Sequence, residues 1–103
     1  YGSDAIKIKN IIQKDKSLGE PILDGFPYLK AEVIWAVREE MARAVEDFLA
    51  RRCRWLLLDA RSSIEAAPVV AKLMGEELNY RRRWQREQIQ DYTELAKGYI
   101  LED

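Results

Sequence analysis

The sequence contains no histidine and a single cysteine, Cys53. Without histidine the chain lacks the commonest general base and the commonest metal ligand, so Ser-His-Asp and Cys-His catalysis are excluded within it. One cysteine cannot form an intrachain disulfide, which excludes a secreted, disulfide-stapled scaffold and favours a reducing compartment. A lone cysteine beside an apolar stripe is typically a small hydrophobic residue; the alternative is a thiol activated by the adjacent arginines.

Cofactor loops and membrane spans are also missing from the sequence. The five glycines are scattered, and none has the spacing of a dinucleotide-binding or phosphate-binding loop. We therefore predict no catalytic, cofactor-binding or metal site in this chain. No apolar stretch approaches the roughly 20 residues that span a bilayer. The chain begins with a tyrosine rather than methionine, so we expect a piece of a longer protein.

The composition that remains is that of one folded domain. The chain has 103 residues, of which 48% are hydrophobic and 34% charged, enough for one modest core. Its 17 basic and 18 acidic residues leave a net charge of −1. A balance this close to zero provides no overall attraction to nucleic acid or anionic lipid.

Apolar residues recur at helical spacing through most of the chain, and glycine and proline interrupt them between residues 16 and 27. The pattern predicts helices over residues 4–15, 28–40, 59–67 and 81–97, with a separate helix opening at Pro68. The run at 55–58 is apolar on all sides and is expected to be buried. We predict an all-α fold, a small orthogonal helical bundle of about five or six helices, over a single domain at 1–103.

Charged clusters are the remaining candidates for chemistry. Adjacent carboxylates on the helices are typical of solvated faces with ion pairs, and no histidine or cysteine joins them as a metal site. We expect Arg51 and Arg52 to pair with Glu32, Glu40 or Asp47, because arginine forms bidentate pairs with carboxylates. The clusters at 51–54 and 81–86 adjoin tryptophans, an arrangement that also occurs in nucleic-acid binding. Nearby acidic residues make that interpretation the weaker one.

Residues 28–60 resemble one known family. The sequence there combines Ala31-Glu32-Val33, Val37-Arg38 with Glu40, Val45-Glu46-Asp47 and the pair Arg51-Arg52. This run resembles the C-terminal domain of the FAD-dependent, respiratory-chain type of glycerol-3-phosphate dehydrogenase. The segment 64–78 fits the helices that follow, so the resemblance covers nearly the whole chain. Cys53 departs from it, since threonine is expected after the arginine pair.

The resemblance implies a parent oxidoreductase that converts glycerol 3-phosphate to dihydroxyacetone phosphate on FAD and passes electrons to a quinone. It implies that the flavin and substrate are held by a preceding N-terminal domain, the main partner of this chain, and that the parent lies in the cytoplasm at the inner face of the cell membrane. The chain itself would be a non-catalytic accessory domain of that flavoprotein. Structural or docking ion pairs are then expected at Glu32, Arg38, Glu40, Asp47, Arg51 and Arg52. The alternative is a free-standing helical interaction module, with its arginine clusters binding nucleic acid.

Overall fold

The computed structural model describes residues 4–100, and within that range it is an all-α bundle. The α-helices are α1 (Asp4–Lys14), α2 (Lys30–Glu39), α3 (Trp55–Leu58), α4 (Ala60–Leu78) and α5 (Arg82–Lys97). A 3₁₀ turn at Lys16–Gly19 follows α1, and a π-helical turn at Asp47–Arg52 precedes α3. The prediction of a small helical bundle with five or six helices is confirmed.

The core lies where α4 meets its neighbours. α4 packs against α2, α3 and α5, while α1 packs on the far side of α2. Fully buried side chains from all these central elements meet there, including Val33, Phe48, Trp55, Met74 and Tyr92. A smaller cluster of Ile8, Ala31 and Trp35 holds α1 against α2. α2 is therefore buried on both sides, which explains its run of consecutive buried residues.

The segment between α1 and α2 forms the loop that the sequence predicted. The chain closes on itself through an isolated antiparallel bridge between Pro21 and Leu29. The rings of Phe26 and Tyr28 then pack against Trp55, with ring centroids 5.0 and 4.8 Å away. The loop thus covers one face of the largest buried side chain.

One long helix, α4, replaces the two helices predicted on either side of Pro68. The helix runs unbroken from residue 60 to 78, although its proline lacks the N–H that would bond to the preceding turn. Pro68 is exposed, while Ala67 before it and Val70 and Ala71 after it are buried. The buried face therefore continues across the proline, and its packing outweighs the loss of one hydrogen bond.

The segment 55–58 is buried on one side only. Trp55 and Leu56 are buried, but Leu57 and Leu58 are 63% and 74% exposed. The prediction that the whole run is buried is wrong for these two leucines. A single helical turn presents one side to α4 and the other to solvent, whatever its composition.

The contact between α4 and α5 includes a buried glycine. Gly75 is buried, and a Cβ placed on it would lie 2.9 Å from Nε2 and 3.0 Å from Cγ of Gln85. The missing side chain leaves room for the side chain of Gln85 in the first turn of α5.

Candidate functional site

A shallow groove lined by charged side chains lies between the end of α2 and the π-helical turn. Its volume is about 540 Å³. The polar side chains that line it are Glu40, Asp47, Arg51 and Arg52, which are four of the six residues singled out from the sequence. The structure therefore brings most of the candidate residues into one place.

Arg52 and Glu40, which both line this groove, form an ion pair. Nε of Arg52 donates a hydrogen bond to Oε1 of Glu40, 12 residues away in the chain. The Arg52 side chain is 19% exposed and that of Glu40 is 40% exposed, so water only partly screens the pair. Because Glu40 ends α2 and Arg52 ends the π-helical turn, the pair links the two elements across the break between them.

Asp47 organises the backbone at the start of the π-helical turn. Its Oδ2 accepts hydrogen bonds from the backbone N–H groups of Arg43 (2.9 Å) and Ala44 (3.0 Å). The guanidinium of Arg43 in turn donates to the carbonyl oxygens of Val37 and Ala42. These contacts hold the break at 40–46 in one conformation, because they satisfy backbone groups that no helix satisfies there.

Arg51 is the most exposed member of the groove. Its guanidinium lies 3.4 Å from Glu46 and 3.8 Å from Asp47, but its side chain is 73% exposed. Exposed pairs of this kind contribute little to stability. The two adjacent arginines are thus not equivalent, since Arg52 is held inside the domain and Arg51 lies at its surface.

Glu32 and Arg38 lie on α2 outside this groove. Glu32 is buried, and its Oε2 accepts a hydrogen bond of 2.6 Å from the backbone N–H of Leu29, which caps the start of α2. Arg38 forms a bidentate pair with Glu77 of α4, with both N–O distances at 3.0 Å. The hydrogen bond with Glu77 raises the pKa of the Arg38 guanidinium.

Glu77 is a partner that the sequence did not reveal. It lies 39 residues from Arg38, and its neighbour Glu76 offers an identical carboxylate. Only the packing of α2 against α4 selects one of the two. Gln88 of α5 is a second partner that the sequence did not reveal. Its Oε1 accepts a 2.9 Å hydrogen bond from the backbone N–H of Val45.

Two non-glycine residues with left-handed backbone conformation bracket the charged region. Met41 has φ of 60° just after α2, and Arg54 has φ of 58° just before α3. Such conformations are uncommon outside glycine, asparagine and aspartate. Met41 sets the direction in which the chain continues from α2 toward the π-helical turn, and Arg54 sets the direction in which it continues from that turn into α3. The amino-acid composition gives no sign of either conformation.

Cys53 lies at the end of the π-helical turn in a largely apolar setting. Burial raises the pKa of its thiol to about 11, an effect larger than the opposing influence of Arg52. Its Sγ is 3.9 Å from the carbonyl oxygen of Leu49. A thiol with this pKa stays protonated at neutral pH, which favours the interpretation of Cys53 as a small hydrophobic residue over a reactive thiol.

The second arginine cluster lies on the exposed side of α5. Arg81, Arg82, Arg83 and Arg86 are all exposed, and Arg83 pairs with Glu87 at 3.2 Å. Tyr80 packs on Trp84 with ring centroids 5.1 Å apart, and Trp84 in turn lies against the core. Trp84 is thus partly engaged in internal packing while Tyr80 is 48% exposed, and nucleic-acid binding by this cluster stays a prediction.

The residues in the groove do not fit a flavin. Its walls alternate opposite charges that already contact one another, and the groove has no glycine-rich turn whose backbone N–H groups face inward. Between residues 4 and 100, no three histidine, cysteine, aspartate or glutamate side chains converge as metal ligands. The arrangement that the structure does show is a set of contacts that join one element to the next.

The fold and this set of contacts define a small helical domain in which charged side chains connect the elements around an apolar core. Residues 1–88 match the family described as the C-terminal domain of alpha-glycerophosphate oxidase. The chain belongs to that family, as its resemblance to the C-terminal domain of glycerol-3-phosphate dehydrogenase predicted.

Similar full-length proteins are glycerol-3-phosphate dehydrogenases. The mitochondrial enzyme of Arabidopsis thaliana is 31% identical over 99 residues, which cover 96% of this chain and 16% of the relative. That of Homo sapiens is 34% identical over 106 residues, covering 96% of this chain and 14% of the relative. A probable mitochondrial enzyme of Caenorhabditis elegans is 40% identical over 83 residues, which cover 81% of this chain and 11% of the relative. The chain therefore spans about one sixth of these relatives or less.

No solved structure matches the chain. In the part of the chain that the structure describes, none of the helices is both long enough and apolar enough to cross a membrane.

The expected location in the cytoplasm at the inner face of the cell membrane is wrong. The Arabidopsis, human and Caenorhabditis relatives are all named as mitochondrial proteins.

Proposed function

We propose that this chain is the accessory domain of an FAD-dependent glycerol-3-phosphate dehydrogenase and has no turnover of its own. The parent would oxidise glycerol 3-phosphate to dihydroxyacetone phosphate and pass the electrons to a quinone. The observation that carries the proposal is the family match, combined with a chain that spans only 14–16% of the plant and human dehydrogenases. FAD and substrate would then be bound by the remainder of the parent, which is also the proposed partner of this domain.

The geometry of the charged residues supports a structural contribution. Glu40 with Arg52 links α2 to the π-helical turn, and Arg38 with Glu77 links α2 to α4. Glu32 and Asp47 bond to backbone N–H groups at the starts of their own elements. Arg51 faces solvent and is available for a contact outside the domain. We propose that the other five candidate residues set the shape of the domain and that Arg51 belongs to its contact with the parent.

The experiment compares the intact parent with a parent truncated just before Tyr1. Flavin content and oxidation of glycerol 3-phosphate with a quinone analogue are measured for both proteins. Loss of FAD or of turnover in the truncated protein supports a domain that stabilises the catalytic unit. Full flavin content together with unchanged turnover would contradict that contribution and would leave this domain a docking or regulatory role.

A matched control separates an effect of the domain from general damage. In the intact parent, Arg38→Ala removes an internal link of the domain, whereas Arg83→Ala removes an exposed i,i+4 pair on α5. If the domain supports the catalytic unit through its own rigidity, Arg38→Ala lowers the temperature at which flavin is released and Arg83→Ala does not. Equal release temperatures for both variants would show that these links have no part in flavin retention.

A further inference from the structure

The outer side of α3 carries two adjacent leucines that the bundle leaves uncovered. Leu57 and Leu58 are 63% and 74% exposed, while Trp55 and Leu56 of the same helix are buried. Single exposed leucines are ordinary on protein surfaces. Here two consecutive exposed leucines stand on a single helical turn whose other two residues, Trp55 and Leu56, are buried, and this pair is called the leucine patch.

The patch is held rigidly. Nε1 of Trp55 donates a 2.8 Å hydrogen bond to Oγ of Ser62 inside the domain. The rings of Phe26 and Tyr28 pack against Trp55, so α3 is clamped between the loop and α4. The left-handed conformation of Arg54 (φ 58°) fixes the direction in which α3 starts. A surface that is already ordered loses little conformational entropy when a partner binds it.

Exposed arginines stand on both sides of the leucines in the chain. Arg54 and Arg61 are exposed, and no carboxylate of the described residues lies within ion-pair distance of either. The exposed Asp59 stands between Leu58 and Arg61, where its Oδ1 accepts a hydrogen bond from the backbone N–H of Ser62. An apolar centre with a charged rim is the usual anatomy of a protein–protein interface. A complementary surface would be an apolar depression bordered by carboxylates.

We infer that Leu57 and Leu58 dock into such a depression on the remainder of the parent chain. This inference rests on the proposed function and names the surface through which the domain meets its parent. The chain spans only 16% and 14% of the plant and human relatives, so most of the parent's surface lies outside this domain. Because that surface is covalently tethered, its effective concentration exceeds that of any free partner, including a second copy of the chain.

Thiol labelling in the intact parent tests the surface with a mild change. Leu58→Cys places a thiol in the patch, and Ile6→Cys places one on the exposed side of α1, where Ile6 is 66% exposed. Maleimide labelling is followed peptide by peptide, and each rate is divided by the rate in the urea-unfolded parent. We expect Leu58→Cys to label at least tenfold more slowly than Ile6→Cys. Equal normalised rates would overturn the inference.

A disruptive pair provides an independent measurement. The intact parent carrying Leu57→Asp and Leu58→Asp is compared with one carrying Ile6→Asp, using limited proteolysis at the junction just before Tyr1. Loss of docking exposes the junction, so we expect release of the domain about tenfold faster for the leucine variant and unchanged for the control. Release at the rate of the unmodified parent in both variants would also overturn the inference.

The outcomes distinguish this surface from the proposed function. If truncation before Tyr1 abolishes flavin binding while Leu58→Cys labels as fast as its control, the accessory role stands and the leucine surface fails. If Leu58→Cys is protected while the truncated parent keeps its flavin and turnover, docking stands and the catalytic contribution fails. Protection that disappears when the parent is diluted would identify a second copy as the occupant and overturn the assignment to the parent chain.

Discussion

At the scale of single residues, the two neighbouring arginines Arg51 and Arg52 show how position decides the effect of a charge. Both follow the same apolar stripe, and both were expected to pair with carboxylates. Arg52 is 19% exposed and joins Glu40, whereas Arg51 is 73% exposed beside Glu46 and Asp47. A charge-assisted hydrogen bond contributes more when water is partly excluded.

We therefore predict different stabilities for two alanine variants of the isolated chain. Arg52→Ala removes a partly buried hydrogen bond to a carboxylate and should lower the free energy of unfolding by about 1–2 kcal/mol. Arg51→Ala should lower it by less than about 0.5 kcal/mol, since the exposed pair is screened. Urea unfolding followed by tryptophan fluorescence measures both. Equal losses for the two variants would contradict the distinction between a structural and a surface arginine.

The thiol of Cys53 provides a second test at this scale. Its pKa is raised from 9.0 to about 11 because the side chain is removed from water. At pH 8 the thiolate fraction in the folded chain should be about one hundredth of that in the unfolded chain, and alkylation by iodoacetamide should slow by a similar factor. The urea-unfolded chain at the same pH is the control. Labelling of the folded chain at the unfolded rate would restore the interpretation of a reactive thiol.

At the scale of elements, α4 shows packing overriding local sequence. Pro68 lies within the helix and removes one backbone hydrogen bond, yet the helix continues because Ala67, Val70 and Ala71 extend one buried face through it. A proline at the start of a new helix is an equally good interpretation of the local sequence. One continuous helix and two helices that meet at Pro68 differ only in whether α2 and α5 cover an unbroken apolar stripe on this segment.

Pro68→Ala is predicted to stabilise the domain. The substitution restores an N–H donor in the middle of α4, and the exposed site has room for the alanine methyl group. We expect the free energy of unfolding to rise by about 1–2 kcal/mol, because the greater entropy of the unfolded chain offsets part of the helical gain. Urea unfolding measures the change, with the exposed substitution Glu65→Ala on the same helix as control. A loss of stability would argue for a helix break at Pro68.

At the scale of the whole molecule, burial of two neutral acids couples stability to alkaline pH. Tyr92 is 2% exposed, and its hydroxyl donates a 2.8 Å hydrogen bond to Oγ of Ser63. Burial raises the pKa of Tyr92 from 10.0 to about 12, as it raises that of Cys53 from 9.0 to about 11. The folded chain therefore holds protons that the unfolded chain releases at high pH.

The sign of the effect follows from linkage. When the folded state binds more protons than the unfolded state, the free energy of unfolding falls as pH rises. The stabilisation that Cys53 and Tyr92 provide in their protonated forms is complete below pH 9. It is lost progressively between about pH 9 and 12, and the part due to Tyr92 amounts to about 2 kcal/mol. Urea unfolding between pH 8 and 11 measures the slope, and Tyr92→Phe should flatten its upper part. A stability that is flat across this range would contradict the burial of both groups.

Local sequence was enough for the fold class, for the approximate extent of three of the helices and for the family. Helical spacing of apolar residues is a local property, so α1, α2 and α5 were predicted to within a few residues. The family was recognised from a short run between Glu32 and Arg52, because its charged residues stand at fixed positions among apolar ones. The absence of histidine is likewise a property of the sequence, and it excludes histidine-dependent catalysis within this chain however the chain folds.

The packing of the helices against one another fixes which charged partners meet and which surfaces stay exposed. Arg38 selects Glu77 over its neighbour Glu76, and Leu57 and Leu58 face solvent although Trp55 and Leu56 do not. The local spacing of apolar residues predicts neither outcome, because each depends on how one helix lies against another. Contacts between residues distant in the chain arise from the geometry of packing, and that geometry also leaves the outer face of α3 exposed.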